Sequence, residues 1–350
     1  MENIYFKAGW IFALSLILAI LLTPISIWIA KKANIIDYPG KTSHTIHKVE
    51  VPRAGGIALV FSLAAVSFLQ KLLNFPPIII IFLAALIIFA FGIWDDRYGM
   101  NAQVKLLGQM CAVTVLVLNG IRVQFFENPQ FFISLNPVIA LWVDIAITYF
   151  WIIAITNAFN LIDSMDGLAL GLAQIITGFF MFSAIKAGQP TLLFLSSALF
   201  GVNLGIFFYN RFPAKTFLGD SGAQTLGFIL SAIAIIYTPK AESQSSTWFI
   251  PIIVFGVPIF DTTLVTISRA LKGIPFYKAN LDHTYHRLVG LGWKKNHAVK
   301  IIHVSAILCG LLAALCVNIK PLGANLLFAF WMLIFLSLLI YLEKKFINPG

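Results

Sequence analysis

Charged residues are scarce in this sequence. Asp, Glu, Lys and Arg make up 11% of the 350 residues, whereas soluble domains carry about 25%. So little charge would leave a soluble fold without enough polar surface, which excludes the soluble classes. Hydrophobic residues make up 59% of the chain, and the mean hydropathy is +0.90. The composition therefore predicts an all-α integral membrane protein, because helices satisfy their own backbone hydrogen bonds in lipid.

Cysteine is also rare, and its placement excludes two kinds of site. The three cysteines, Cys111, Cys309 and Cys316, lie inside apolar runs and form no C-x-x-C pair. Neither a disulfide framework nor a zinc knuckle is therefore indicated. The net charge of +10 could suggest a polyanion partner. No basic run with interleaved aromatic residues is present, so we predict that the protein does not bind nucleic acid.

Long uncharged runs dominate the chain and give about eleven transmembrane helices, since a bilayer needs about 20 apolar residues per crossing. Pro251 and Pro258 are expected to kink the ninth helix. No linker-like segment interrupts residues 1–350, which predicts a single polytopic membrane domain. The predicted helices are 8–30, 54–70, 77–94, 104–119, 137–156, 168–186, 190–209, 222–238, 248–268, 299–318 and 321–342.

Basic residues are distributed unequally between the two sides of this arrangement. Six of the 24 Lys and Arg residues lie on one side, and the remaining 18 lie on the other. The positive-inside rule then places the N-terminus outside and the C-terminus in the cytoplasm. The cytoplasmic loops are predicted near residues 31–53, 95–104, 157–167, 210–221 and 269–298.

Carboxylates collect on the same cytoplasmic side, which the positive-inside rule does not explain. Ten of the 14 Asp and Glu residues lie at or near it, and a shared site is the simplest reason. Asp144 lies on the other side and is interpreted as a boundary residue. Oxygen ligands of this kind suit Mg²⁺, with Mn²⁺ as an alternative. The candidate ligands are Asp95, Asp96, Asp163, Asp166 and Asp220.

Glycine-rich turns adjoin these carboxylates, and they have two interpretations. In PRAGG (residues 52–56) and LGDSG (residues 218–222), backbone N–H groups at a helix start could bind phosphate. Small residues could equally let two membrane helices pack closely. Both interpretations stay open at the level of sequence.

Four of the six histidines lie in two short cytoplasmic motifs, HTIHK (residues 44–48) and HTYHR (residues 283–287). Zinc is not supported, because no cysteine or H-E-x-x-H motif accompanies them. His283 and His286, with Arg287 and Lys48, form a better cationic cradle for phosphate oxygens. Acidic metal ligands and basic residues on one membrane face predict a membrane phosphotransferase.

Five segments in order, PRAGG, WDDRYG, NAFNLIDSMDGLA, FLGDSGAQTLG and HTYHRL, carry a family resemblance. The chain resembles the polyprenyl-phosphate N-acetylhexosamine-1-phosphate transferases (glycosyltransferase family 4, the MraY/WecA superfamily). The resemblance implies that a UDP-N-acetylhexosamine donates its sugar 1-phosphate to undecaprenyl phosphate, releasing UMP, at the bacterial cytoplasmic membrane. It also implies that membrane lipid is a partner and that the protein forms a homodimer.

The resemblance implies a role for each matching residue. Asp220 would be the principal Mg²⁺ ligand, with Asp163 as a second, and Phe217 would stack on the uracil. Asp95 would deprotonate the lipid phosphate, or act as a nucleophile in a two-step reaction, with Asp96 beside it. The remaining members are Asn160 and Asp166, which would contact metal and nucleotide, and Lys48, His283, His286 and Arg287, which would hold the diphosphate.

Two departures from the family pattern bear on the choice of sugar. Tyr285 replaces a histidine of the usual H-x-H-H, and His44 and His47 stand in the segment that usually reads Arg-Lys-x-His. The H-x-x-H-R-L pattern favours N-acetylglucosamine over a muramoyl-pentapeptide donor, which remains the alternative. A secondary transporter is disfavoured, because transporters place ionisable groups near the bilayer midplane.

Overall fold

The structure is a computed structural model, and it describes residues 2–39, 50–128, 133, 135–238, 248–273, 275 and 282–347. Lys48, His44 and His47 lie outside the described residues, as do parts of the predicted loops 31–53 and 269–298. The described elements are two strands, β1 (Ile36–Asp37) and β2 (Val51–Pro52), one 3₁₀ helix (Leu72–Asn74), and the helices α1 (Glu2–Lys32), α2 (Gly55–Leu69), α3 (Pro76–Tyr98), α4 (Ala102–Leu118), α5 (Pro137–Ile162), α6 (Leu168–Ala187), α7 (Pro190–Asn210), α8 (Gly219–Ile236), α9 (Ile250–Val254), α10 (Gly256–Leu271), α11 (Thr284–Gly290), α12 (Lys295–Val317) and α13 (Pro321–Ile347).

The prediction of an all-α integral membrane protein is confirmed. Within the described residues, eight helices are long and apolar enough to cross a bilayer, and α2 and α4 are shorter apolar helices. The only sheet in this part of the chain is the antiparallel pair of β1 and β2, which the sequence did not predict. The count of eleven crossings and the orientation of the termini stay predictions.

The first compact unit contains α1 to α8, with α8 at its centre. Helix α8 packs against α2, α3 and α5, while α1 and α6 both pack against α7. Fourteen consecutive residues of α8, from Ser221 to Ala234, are buried. A helix that is surrounded in this way must accept neighbours on every face, which explains why its sequence is rich in Gly, Ala and Ser.

The second compact unit contains α9 to α13. Within it, α12 packs against α9, α10, α11 and α13. Both α12 and α13 expose large apolar side chains along their length, which suits contact with lipid rather than water. These include Leu308, Leu311, Leu315, Leu326, Phe330 and Leu333.

The single ninth helix predicted over 248–268 is wrong, since the structure has two helices there. Helix α9 ends at Val254 and α10 begins at Gly256. Pro258 lacks the N–H that would continue the ladder to the Val254 carbonyl, and Pro251 stands in the first turn of α9. Pro258 therefore interrupts the run at Phe255, whereas Pro251 is tolerated in the first turn of α9.

Candidate active site

Asp96 holds the start of α8. Its carboxylate accepts the N–H of Asp220 at 2.8 Å, the N–H of Ser221 at 3.1 Å and the hydroxyl of Ser221 at 2.6 Å. These N–H groups have no partner inside the helix, and a negative charge at a helix N-terminus is favourable. The last turn of α3 is thus joined to the first turn of α8, and Asp96 fixes the position of Asp220.

The glycines of PRAGG serve close packing. The N–H of Gly55 donates to the carbonyl of Phe217 at 2.9 Å, and that of Gly56 to the carbonyl of Leu218 at 3.0 Å. A Cβ atom on Gly56 would lie 2.6 Å from the backbone nitrogen of Gly222. These N–H groups are therefore engaged with the chain itself, and of the two interpretations of the turns the geometry favours helix packing over phosphate binding.

Asp220 lies where three elements meet. Its Oδ1 atom accepts hydrogen bonds from Lys105 Nζ at 2.9 Å, from Asn160 Nδ2 at 3.0 Å and from Gln224 Nε2 at 3.2 Å. Lys105 comes from α4 and Asn160 from α5, as their ranges show. The predicted neighbours Asp220 and Asn160 are therefore brought into direct contact.

Lys105 links the two predicted catalytic segments, although sequence reasoning assigned it no role. Its ammonium group contacts Asp95 Oδ2 and also lies 2.9 Å from Asp220 Oδ1. Asp95 itself is 7% exposed. Two carboxylates that share one ammonium group must lie close together, so Asp95 and Asp220 belong to one cluster.

Asp163 is the C-cap of α5 and is half-buried. Burial, followed by the negative charge of Asp220, raises the pKa of Asp163 to about 8. These surroundings disfavour the ionised form of Asp163, and a nearby cation would favour it. Asp163 and Asp166 do not share a helical face, because α5 ends at Ile162.

Asp166 organises the chain that leads to α8. Its Oδ2 atom accepts the N–H of Ala214 at 3.0 Å, and the next residue, Gly167, donates its N–H to Asn210 Oδ1 at 3.1 Å. Gly167 has φ +73°, which favours glycine at this turn. One carboxylate oxygen of Asp166, Oδ2, therefore stabilises the conformation of the 210–216 segment.

Phe217 and Arg53 lie at the edge of the cluster. Phe217 is half-buried and is held by its backbone, whose N–H donates to the Pro52 carbonyl at 3.0 Å. Arg53 pairs with Asp37 at 3.0 Å and with Asp96 at 3.6 Å. Burial alone would lower the pKa of Arg53, but the carboxylates of Asp37 and Asp96 raise it, so this guanidinium stays charged.

The side chains of the carboxylate cluster can be compared with the ligands that Mg²⁺ prefers in proteins. Among the described residues, no group of three or more His, Cys, Asp or Glu side chains is arranged to hold an ion alone. Mg²⁺ is commonly held by one or two carboxylates together with water and substrate phosphates. Asp220 and Asp163, with hard oxygen atoms and excess negative charge, fit that pattern.

The histidine segment lies in the second unit. His283 Nδ1 is 2.8 Å from Asp261 Oδ2, and the N–H of Thr284 donates to Asp261 Oδ1 at 2.7 Å. The rings of His283 and His286 are 5.7 Å apart, and that of Tyr285 packs edge-on against His286. Tyr285 is 2% exposed, so the residue that replaces a family histidine is part of the core.

Arg287 is buried, and the phosphate contact predicted for it is not supported by this geometry. Its Nε atom donates to the Asp282 carbonyl at 3.1 Å and Nη1 to the Leu342 carbonyl at 2.9 Å. Nη2 is 2.7 Å from Glu343 Oε2. The side chain is 2% exposed, so the guanidinium instead joins α11 to the end of α13.

Sequence reasoning also missed the polar residues behind Asp220. Gln109 Nε2 donates to Gln224 Oε1 at 3.0 Å, and Asn157 Nδ2 donates to Gln109 Oε1 at 2.8 Å. Amides inside apolar helices are costly unless paired. These amides and Lys105 lie near the ends of predicted membrane helices. A polar residue at such a position was the sequence signal that could have identified them.

Comparisons with known proteins agree with these segments. A family model, Glycosyl transferase family 4, matches residues 78–238, which contain Asp95, Asp163 and Asp220. The chain is 33% identical to the "Probable undecaprenyl-phosphate N-acetylglucosaminyl 1-phosphate transferase" of Bacillus subtilis, over 94% of this chain and 90% of the relative.

Relatives of two kinds are found at lower identity. A decaprenyl-phosphate N-acetylglucosaminephosphotransferase of Mycobacterium tuberculosis is 27% identical, over 79% of this chain and 74% of the relative. A phospho-N-acetylmuramoyl-pentapeptide-transferase of Borrelia hermsii is 28% identical, over 91% of this chain and 97% of the relative. The similarity extends far beyond the five motifs.

Proposed function

This chain belongs to the polyprenyl-phosphate N-acetylhexosamine-1-phosphate transferases of glycosyl transferase family 4, and on that premise we propose that it transfers N-acetylglucosamine 1-phosphate from a UDP-sugar to undecaprenyl phosphate. An oxygen atom of the lipid phosphate attacks the phosphorus atom that carries the sugar. The bond between that phosphorus and UMP breaks, so the products are UMP and undecaprenyl-diphosphate-sugar. The reaction takes place at the cytoplasmic face of the bacterial cytoplasmic membrane.

One observation carries this proposal. Asp95 lies in the last turn of α3 and Asp220 in the first turn of α8, and the ammonium group of Lys105 contacts both carboxylates. The sequence motifs alone predicted that the two segments share a membrane face. Their contact through a lysine makes them one charged cluster, of the kind that phosphoryl transfer uses for positioning and electrostatic stabilisation.

Asp95 is the proposed base, and Asp96 is a positioning residue. The Asp96 carboxylate accepts three hydrogen bonds from the first turn of α8, so it is committed to holding Asp220. Asp95 has Lys105 as its close partner. It takes the proton from the lipid phosphate, and Lys105 compensates the charge that moves within the cluster.

Asp220 and Asp163 would hold Mg²⁺, whose positive charge would stabilise the departing UMP. Asn160 orients Asp220 through its hydrogen bond of 3.0 Å. Phe217 and Asp166 lie on the segments next to Asp220 and are proposed to contact the nucleotide. His283 and His286 are proposed to contribute contacts to phosphate.

N-acetylglucosamine is the proposed sugar. The relative from Bacillus subtilis, which is named for that sugar, is 33% identical, and the muramoyl-pentapeptide relative is 28% identical. Tyr285, which replaces a family histidine, packs in the core as a neighbour of His286. The muramoyl-pentapeptide donor is the second candidate because that relative covers 91% of this chain.

The test is UMP release by the purified protein in detergent with undecaprenyl phosphate and Mg²⁺. Parallel reactions receive UDP-N-acetylglucosamine, UDP-N-acetylgalactosamine or UDP-N-acetylmuramoyl-pentapeptide. Release with the first donor and loss of turnover on chelation are expected. A folded protein that releases no UMP from any of the three would exclude the proposed function.

Two variants test the assigned roles in the same assay. Asp95→Asn should lower kcat by at least about 10²-fold, because a general base contributes that much or more. Asp220→Asn should abolish the response to Mg²⁺ over the whole titration range. Glu127→Gln is a suitable control, since Glu127 pairs with Arg122 in a separate loop. UMP release without the lipid substrate would instead indicate a covalent intermediate on Asp95.

A further inference from the structure

The second unit contains a buried carboxylate and imidazole pair. Asp261 is 2% exposed and His283 is 7% exposed. One carboxylate oxygen, Oδ2, lies 2.8 Å from His283 Nδ1, and the other, Oδ1, accepts the N–H of Thr284 at 2.7 Å. Both oxygens of Asp261 are therefore directed at the histidine segment, from a helix that belongs to a different part of the sequence.

The hydrogen bonds identify the nitrogen of His283 that carries the proton. A backbone N–H can only donate, and an ionised carboxylate can only accept. Asp261 is thus an acceptor toward both partners, and the ring nitrogen that faces it, Nδ1, must carry a proton. In the neutral ring, Nε2 then carries no proton and can act as a hydrogen-bond acceptor.

The segment around His283 is also held at two further points. Arg287, one turn along α11, pairs with Glu343 of α13 at 2.7 Å. Asp282, just before His283, pairs with Lys272 at 2.9 Å. A ring on a segment fixed at three places has little freedom to turn, so the hydrogen bond to Asp261 sets its orientation as well as its proton.

We propose that Asp261 is a positioning residue for the transferase reaction, fixing the ring of His283 with Nδ1 protonated and Nε2 presented to substrate. This inference rests on the proposed function for its catalytic consequence. The carboxylate itself touches no substrate and acts only through the histidine. In general, when one ring nitrogen of a histidine binds a ligand, the hydrogen-bond partner of the other nitrogen determines the tautomer.

The Asp261→Asn variant separates orientation from packing. Asn can keep one oxygen as the acceptor for the Thr284 N–H, so the start of α11 remains bonded. Its amide nitrogen then faces His283 Nδ1 and donates to it, which moves the ring proton to Nε2. The shape of the site is preserved, while the substrate-facing nitrogen changes from acceptor to donor.

The location of the proton can be read directly by ¹⁵N NMR of the histidine-labelled protein. The chain has six histidines, and the His283 signals are identified by their absence in His283→Gln. We expect a protonated Nδ1 in the unsubstituted protein and a protonated Nε2 in Asp261→Asn. An unsubstituted protein with the proton on Nε2, or an unchanged spectrum in the variant, would overturn the proposal.

A double-mutant cycle measures the catalytic consequence. Asp261→Asn and His283→Gln should each lower kcat by about 10²-fold. Because Asp261 acts through His283, the double variant should be no slower than His283→Gln alone. Losses that multiply would show that Asp261 acts independently and would refute a positioning role.

A matched control is available in α5. Asp144 is also fully buried in a helix and accepts backbone N–H groups, from Phe126 at 3.1 Å and Glu127 at 3.0 Å. Asp144→Asn should leave kcat and the His283 signals unchanged. If the unsubstituted protein releases no UMP, the proposed function fails, whereas the NMR result still decides whether Asp261 sets the tautomer.

Discussion

The ammonium group of Lys105 bridges Asp95 and Asp220, contacting Asp95 Oδ2 and lying 2.9 Å from Asp220 Oδ1. The lysine comes from the second turn of α4, while the carboxylates come from the end of α3 and the start of α8. Three helices therefore meet through one cation. Because its ammonium group contacts Asp95, Lys105 is expected to influence any transfer of a proton to Asp95.

Replacement of Lys105 by methionine is expected to lower kcat by about 10²-fold or more, the range of a general acid or base. Two neighbouring carboxylates would lose their shared cation, and like charges in proximity disfavour ionisation of both. UMP release under saturating substrates measures the effect. Lys300→Met is the control, because Lys300 is exposed at the start of α12. A Lys105→Met variant with ordinary turnover would remove the lysine from the mechanism.

Asp96 and Asp95 should differ in what their substitution costs. Asp96→Asn removes the negative charge from the α8 N-terminus and weakens three hydrogen bonds. We expect a loss of about 1–3 kcal/mol in the free energy of unfolding, the cost of disturbing buried hydrogen bonds to a charged group. Thermal unfolding in detergent measures it.

Asp95→Asn provides the comparison for this measurement. Asp95 accepts no backbone N–H in the described contacts, so its substitution should change the rate far more than the melting temperature. Equal destabilisation by the two variants would contradict the distinction between a base and a helix cap.

Gly56 should not tolerate a side chain. A Cβ atom there would lie 2.3 Å from Ser221 Oγ and 2.6 Å from the backbone nitrogen of Gly222. Gly56→Ala is therefore expected to destabilise the first unit by about 1–3 kcal/mol, as overpacking does, and to slow turnover by displacing α8. Gly9→Ala is the matched control, since nothing lies within 4 Å of a Cβ at Gly9. A harmless Gly56→Ala would show that α2 and α8 can separate.

The buried pair of Arg287 and Glu343 gives opposite expectations for single and double substitution. Removing one partner leaves a buried charge without compensation, which costs about 3–5 kcal/mol. Glu343→Leu should therefore lower the melting temperature strongly. Arg287→Met combined with Glu343→Leu should recover most of it, because well-packed apolar replacements of buried ion pairs are often neutral or stabilising.

The double variant also separates two roles for Arg287. If it regains turnover along with stability, Arg287 is structural, as its contacts indicate. If stability returns and turnover does not, the phosphate contact predicted from the sequence regains support.

The sequence predicted the membrane class and the shared face of the carboxylate segments, because hydropathy and charge distribution are properties of single segments. It could not assign Lys105, since one cation near the start of an apolar helix looks like any loop residue. Arg287 was assigned to phosphate because no local sequence pattern reveals that it already has a partner. Its partner Glu343 lies in another helix, and only the tertiary structure shows that the guanidinium is already paired.

The glycine turns show the same limit at the level of the backbone. PRAGG and LGDSG have the composition of phosphate-binding turns and of helix contacts alike. The difference depends on whether Gly55 and Gly56 have carbonyl partners, and those partners are Phe217 and Leu218. A pairing between distant segments decides the role, which no local pattern contains.

The backbone of Ser221 is confined from two directions, because Cβ atoms on Gly92 and Gly56 would lie 2.4 Å from its Cα and 2.3 Å from its Oγ. The first turn of α8 is thus closely packed between α3 and α2. A small-molecule inhibitor could therefore not displace the first turn of α8 without separating α2, α3 and α8. Replacement of Gly56 or Gly92 by a larger residue, as a route to inhibitor resistance, would therefore destabilise the packing of these helices.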